Sequence, residues 1–141
     1  MQIFNEIIST TKEVNTTLTL PFDLRQKSRM KVTLDSGQDA SLILPRGQVL
    51  RDGVVLRAES GFVVRIVAAE EDVSSVYSDD KFSLMLVCYH LGNRHVPLEI
   101  AESYVRYRKD HVLDDMVKGL GLNVKHEQAM FEPESGAYAP H

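Results

Sequence analysis

The chain has 141 residues, 43% apolar and 26% charged, with a formal net charge of −4 and a single cysteine, Cys88. That composition is globular, provides for one ordinary domain or two small ones, and excludes an intrinsically disordered chain. The acidic balance gives no general attraction to nucleic acid or to an anionic membrane. One thiol cannot form an internal disulfide, and no apolar run approaches the ~20 residues of a membrane-spanning helix. With no basic and apolar leader at its start, the chain reads as soluble and cytoplasmic.

Residues 1–69 carry β patterning throughout. Ile3, Ile7 and Ile8 flank a first short segment, and residues 16–20 alternate Thr and Leu as a half-buried strand does. Pro21 sets the end of that strand at an edge or a bend. Over residues 25–34, Arg25, Lys27, Arg29 and Lys31 fall on one side and Met30, Val32 and Leu34 on the other, which predicts a strand with a basic outer face. Asp35-Ser36-Gly37 is a turn, and residues 40–44 form a strand stopped by Pro45. Asp52-Gly53 predicts a hairpin between residues 49–50 and 54–56, and residues 62–69 form a long β-branched strand. Short strands at near-regular spacing predict a small sandwich or barrel for residues 1–69.

At Glu70-Glu71-Asp72 the composition shifts and the apolar period moves from two toward 3.6, so a domain boundary is expected there, although the β character of residues 73–77 could carry across it. Ser78-Asp79-Asp80 supplies caps for a helix over 81–91, and Gly92-Asn93 stops it. Residues 96–101 and 104–108 read as strands. Asp110 caps a second helix over 111–120, with Asp114 and Asp115 near its positive end. Residues 123–131 return as a strand, and a mobile polar tail is expected from about 132 to His141. Residues 70–141 therefore read β-α-β-β-α-β, the split ferredoxin-like arrangement. The fold class is two-domain, a small β domain followed by an α/β domain.

The sequence contains no G-x-S-x-G, no Gly-rich phosphate loop and no H-E-x-x-H, and its acidic residues are scattered or sit at caps, which argues against an enzyme. Cys88 lies in an apolar helical run and reads as a buried structural thiol. The basic strand face could meet an acidic partner or simply be solvated. The aromatic pattern of RNA-binding ferredoxin-like domains is missing. The five histidines, His90, His95, His111, His126 and His141, all lie in the second half. His126 sits in an alternating strand and reads as structural. The dipole at the start of the second helix favours a neutral His111 ring, the form a metal needs. His90 and His95 are five residues apart, roughly 140° off a shared helical face, so they do not chelate one ion as an i, i+4 pair would. His95 is held near a turn by Gly92, Asn93 and Pro97, and spacing leaves metal binding and simple packing equally open. His141 can swing onto a site or remain free.

Tyr89-His90-Leu91-Gly92-Asn93-Arg94-His95-Val96-Pro97-Leu98 closely resembles the signature of the UreE urease accessory family. Leu44-Pro45-Arg46-Gly47 with Leu50-Arg51-Asp52-Gly53, Asp110-His111-Val112-Leu113-Asp114, and Phe131-Glu132-Pro133-Glu134 with Gly136-Ala137-Tyr138 are similar to three further landmarks of that family, in order. The resemblance implies an N-terminal domain that binds a peptide or partner and a C-terminal domain that binds metal and dimerises. It implies a cytoplasmic nickel carrier for urease maturation, working with the maturation GTPase and the apo-urease complex, with no nucleic acid and no membrane involved. His95 from each protomer would hold Ni²⁺ at the homodimer interface, with a dimer of dimers sharing metal as a further arrangement. His111 would be a peripheral ligand, His90 a secondary one, and His141 a supplementary ligand from the tail. Two departures narrow the capacity: Lys109 stands where some members have a histidine, and the tail carries one histidine rather than many. Imidazole suits Ni²⁺, with Cu²⁺ and Zn²⁺ as competitors, and a two-fold dimer turns one histidine into a pair. The rival reading is a peptide-binding, chaperone-like module whose histidines are incidental.

Overall fold

Main-chain pairing sorts the strands of the computed structural model, which describes residues 1–9 and 13–135, into two separate sheets. The chain divides into two units between Ala69 and Glu70.

In the first unit the strands are β1 (Gln2–Ile8), β2 (Thr16–Leu20), β3 (Arg29–Thr33), β4 (Asp39–Ile43), β5 (Val55–Ala58) and β6 (Val63–Ala68), with a single-turn helix α1 (Phe22–Arg25) after β2. They form one six-stranded sheet in the order β2-β6-β5-β1-β4-β3, in which β1 with β4 and β2 with β6 run parallel. Period-two patterning turns Leu18, Leu20, Ala40, Leu42, Val64 and Ile66 inward, around the fully buried Phe4. Asp35 draws the two outer strands together. Its N–H donates to the Thr17 carbonyl (3.0 Å), and its carboxylate accepts from the Thr17 and Thr19 hydroxyls at 2.6 and 2.7 Å. Burial alone would raise this carboxyl, but the Thr17 and Thr19 hydrogen bonds outweigh it and hold the pKa below the ordinary Asp value. The sheet thus curls toward a barrel.

Two expectations for this unit fail. The strand expected over 25–34 starts only at Arg29, and Arg25 is no part of a basic face. Arg25 closes α1 and is fully buried, its guanidinium donating to the carbonyls of Leu20 (3.0 Å) and Leu50 (3.2 Å). Asp52-Gly53 makes a turn but no hairpin: Gly53 N–H donates to Ile66 and Asp52 accepts from Ala68 N–H, so the turn is fastened to β6, and residues 49–50 form no strand.

The second unit comprises β7 (Glu70–Tyr77), α2 (Lys81–Gly92), β8 (Glu99–Ile100), β9 (Tyr104–Arg108), α3 (His111–Gly119) and β10 (Lys125–Met130). Its sheet order β10-β7-β9-β8, antiparallel throughout, is the ferredoxin-like one. Val76, Val105 and Tyr107 meet Leu84, Val87 and Leu91 of α2 and Leu113 and Val117 of α3 in one core. Both helices start as their caps demand: Asp80 accepts from Phe82 N–H, and Asp110 accepts from Val112 and Leu113 N–H. Glu70, Glu71 and Asp72 are already strand, paired with β10, rather than a link between domains. β8 has two residues, shorter than the expected 96–101, because Val96 and Leu98 pack into the core and Pro97 has no N–H to offer. Residues 132–135, expected to begin a mobile tail, are held: Phe131 and Pro133 are buried, Glu132 N–H donates to the Glu99 carboxylate (2.7 Å), and Glu134 N–H donates to the Leu98 carbonyl (2.8 Å).

Candidate metal centre

The last turn of α2 ends in a series of tight bonds: Asn93 N–H to Tyr89, Arg94 N–H to Leu91 and His95 N–H to Gly92. His95 closes the series with φ at +58°, the one non-glycine residue in the left-handed region among those described. That conformation costs an L-residue roughly 1–2 kcal/mol and persists where neighbouring structure imposes it. It places an exposed histidine at the exit of the helix, between a backbone anchored in α2 and the buried Leu98.

The other sequence-predicted ligands are dispersed. His90 is half-buried in the last turn of α2, edge-on to the Tyr89 ring at 5.2 Å. His111 is exposed at the start of α3, and the carboxylate before it is engaged in capping. Lys109 occupies the neighbouring position and lines a shallow pocket of about 220 Å³ with Asp72 and His126. His141 lies outside the described residues. Among the described residues of one chain, no three of His, Cys, Asp and Glu gather as a metal-binding group. A single copy therefore presents separate imidazoles rather than a finished site. Cys88 is half-buried against the core, and burial pushes its thiol up, so it is protonated at neutral pH and a poor ligand.

α2 is apolar on two sides. Leu84, Val87 and Leu91 face the core, while Phe82, Met85, Leu86 and Tyr89 are exposed by 62, 60, 38 and 64%. The exposed four follow i, i+3, i+4, i+7 spacing and so form one stripe, which runs toward the turn carrying His95. A contiguous exposed apolar stripe marks an interaction surface rather than ordinary solvent-facing helix.

Two polar clusters had no sequence signal beyond alternation. Asp114, expected to serve the helix dipole, is also buried, accepting from Tyr107 Oη at 2.7 Å and lying 2.7 Å from His126 Nε2. Burial and the Asp114 bond push the Tyr107 hydroxyl well above its ordinary pKa, which keeps it a donor. His126 is therefore tied to a structural pair. On the other face of the sheet, Arg106 donates to Ser75 (2.9 Å), Tyr77 (3.1 Å), Glu127 (3.3 Å) and Glu99 (3.4 Å), and stacks 4.4 Å over the Tyr104 ring.

Exposed single imidazoles beside an apolar stripe are features of a protein that binds and assembles. Its family is shown by sequence comparison: residues 4–69 match the N-terminal domain and residues 71–141 the C-terminal domain of the UreE urease accessory protein. The urease accessory protein UreE of Alkalilimnicola ehrlichii is 60% identical over 122 residues, covering 86% of this chain and 75% of that protein. The Proteus mirabilis protein of the same name is 54% identical over 131 residues, 93% of this chain and 81% of its own length. The chain belongs to the UreE family of urease accessory proteins, which are accessory chaperones and not enzymes. No helix among the described residues is long and apolar enough to cross a membrane.

Proposed function

We propose that the protein carries Ni²⁺ for urease maturation as a homodimer joined along the exposed stripe of α2, with His95 of each copy supplying one imidazole to a shared ion. The observation that carries this reading is the stripe of Phe82, Met85, Leu86 and Tyr89 leading to an exposed histidine in a strained turn. Pairing two copies across a two-fold axis that passes near the C-terminal end of α2 would cover the stripe and set the two His95 side chains on either side of that axis. Relatives that are 50–60% identical bear the name urease accessory protein, which supports a role in urease maturation; in this reading the cargo passes to apo-urease with its maturation GTPase in the cytoplasm.

The donor set suits a carrier. Two imidazoles bind Ni²⁺ while leaving positions for water or for a ligand from the receiving protein, so the ion is held and still exchangeable; Cu²⁺ and Zn²⁺ compete for the same donors. Ser135 is near the strand that follows His95, because Glu134 bonds Leu98. The six residues from there to His141 span at most about 20 Å, a reach that suits a supplementary ligand. His111 beside the Lys109 cation, and His90 at the flank of the stripe, offer one imidazole each and are secondary, weaker ligands.

Nickel calorimetry on wild type and His95→Ala, with the mass of both measured, tests the reading. The expected result is a folded dimer that has lost the interface ion; full stoichiometry and affinity in His95→Ala would sink it. Protons compete with metal for imidazole nitrogen, so wild-type nickel affinity is expected to weaken as the pH falls.

A further inference from the structure

We infer that Glu99 is a positioning residue for His95: with the segment after β10 it clamps the chain leaving the His95 turn and so holds the turn in its left-handed conformation. The inference rests on the reading of His95 as the metal ligand.

β8 is the edge strand of its sheet and follows His95 by only three residues. Upstream, the turn is fixed by its bonds to the α2 carbonyls. Downstream, a two-residue strand is little to hold it. The rest of the anchor comes from elsewhere in the chain. Glu134 N–H donates to the Leu98 carbonyl, which covers the edge that β9 leaves free. Glu99 lies alongside, its side chain 13% exposed. One carboxylate oxygen accepts Glu132 N–H at 2.7 Å; the other accepts the Tyr104 hydroxyl at 2.8 Å and pairs with Arg106 at 3.4 Å. Arg106, itself 8% exposed, is locked by Ser75, Tyr77 and Glu127 from β7 and β10. Glu99 thus ties the segment over residues 131–134 to the centre of the sheet, next to the strained turn. A backbone conformation that is unfavourable on its own survives only while both flanks are held. Freed downstream, the turn relaxes to negative φ and the imidazole leaves the position it shares with its copy.

The test uses the full-length protein, nickel chloride as the probe, and three measurements: nickel affinity, dimer mass, and the φ-sensitive amide–Cα proton coupling of His95 in metal-free protein labelled at histidine. Glu99→Ala removes the hub. Glu134→Pro removes the N–H given to Leu98 and leaves Glu99 in place, with the backbone at 134 held at a φ of about −65°. Both are expected to remain dimers, to bind nickel about tenfold more weakly, and to move the His95 coupling away from its left-handed value. Folded dimers with unchanged coupling overturn the inference whatever their nickel affinity, since a merely structural residue would lower stability and leave the turn alone. If Glu99→Ala does not fold, Glu134→Pro decides together with Glu99→Gln, which keeps an acceptor for Glu132 and is expected to hold the coupling. Undiminished nickel binding in His95→Ala defeats the reading of the site, whereas failure of the clamp is read from the coupling.

Discussion

The first unit uses its sequence to shut itself off, and the second leaves a side open. In residues 1–69 the curled sheet buries its apolar side chains, Asp35 draws the outer strands together, and three large apolar side chains remain exposed, Met1, Ile3 and Ile43. Among the described residues of the second unit nine are exposed, four of them in the α2 stripe. Charge divides the same way: residues 1–69 hold nine Lys or Arg against seven Asp or Glu, and residues 70–141 hold seven against thirteen. All five histidines lie in that acidic half, where the field favours capture of a cation. Self-sufficient packing and incomplete packing are thus written into one short chain, and only the incomplete unit carries candidate ligands.

The sharpest test of this contrast is one buried aromatic in each unit, Phe4 in the core of the first and Phe131 just after β10 in the second. Phe4→Ala and Phe131→Ala each empty a fully buried site and should cost about 3–5 kcal/mol in urea unfolding. Only Phe131→Ala should also weaken nickel binding by the folded protein; loss of nickel in Phe4→Ala would break the division of labour. Next in size, in the proposed dimer Met85→Glu on the bare stripe forfeits about 1.5–3 kcal/mol of side-chain burial per copy and should give a monomer in sedimentation, while Ile43→Glu leaves the mass unchanged. Asp110→Ala removes the α3 cap and should lower the unfolding free energy by about 1 kcal/mol, read from the urea midpoint.

The smallest effect is confined to acid. Hydrogen bonds from Ser75 and Tyr77 pull the Glu127 carboxyl down from 4.5 to about 2. A depressed carboxyl stabilises the fold fully above its unfolded pKa and loses that contribution as pH falls through the folded value. Unfolding followed from pH 5 to about 2 should therefore show a steeper loss in wild type than in Glu127→Gln.

Much of this was legible because it is local. Asp80 and Asp110 act on N–H groups two or three residues away, and Gly92-Asn93 ends a helix wherever such a helix runs, so both helices and the ferredoxin-like order follow from short-range chemistry. What escaped depends on distant partners. Arg25 has the alternation of a surface strand, and acceptors that include the carbonyl of Leu50, 25 residues on, explain its burial. Asp52-Gly53 has hairpin chemistry, but β6 claims its polar groups. Glu99 meets Glu132 across 33 residues, and nothing near it in sequence announces a hub. The left-handed turn at His95 was legible only as a place where the chain bends; the strain comes from anchors on both sides.

The two-sided α2 has a consequence for how the protein behaves on dilution. If a second copy covers the outer apolar side of α2, as proposed, the helix contributes its full share to stability only when that copy is present, so folding and association are linked by mass action. The melting temperature of the wild type should climb with protein concentration, and that of Met85→Glu should not. A cell making little of this protein would then hold a less stable one, and its supply would set how firmly each molecule is folded.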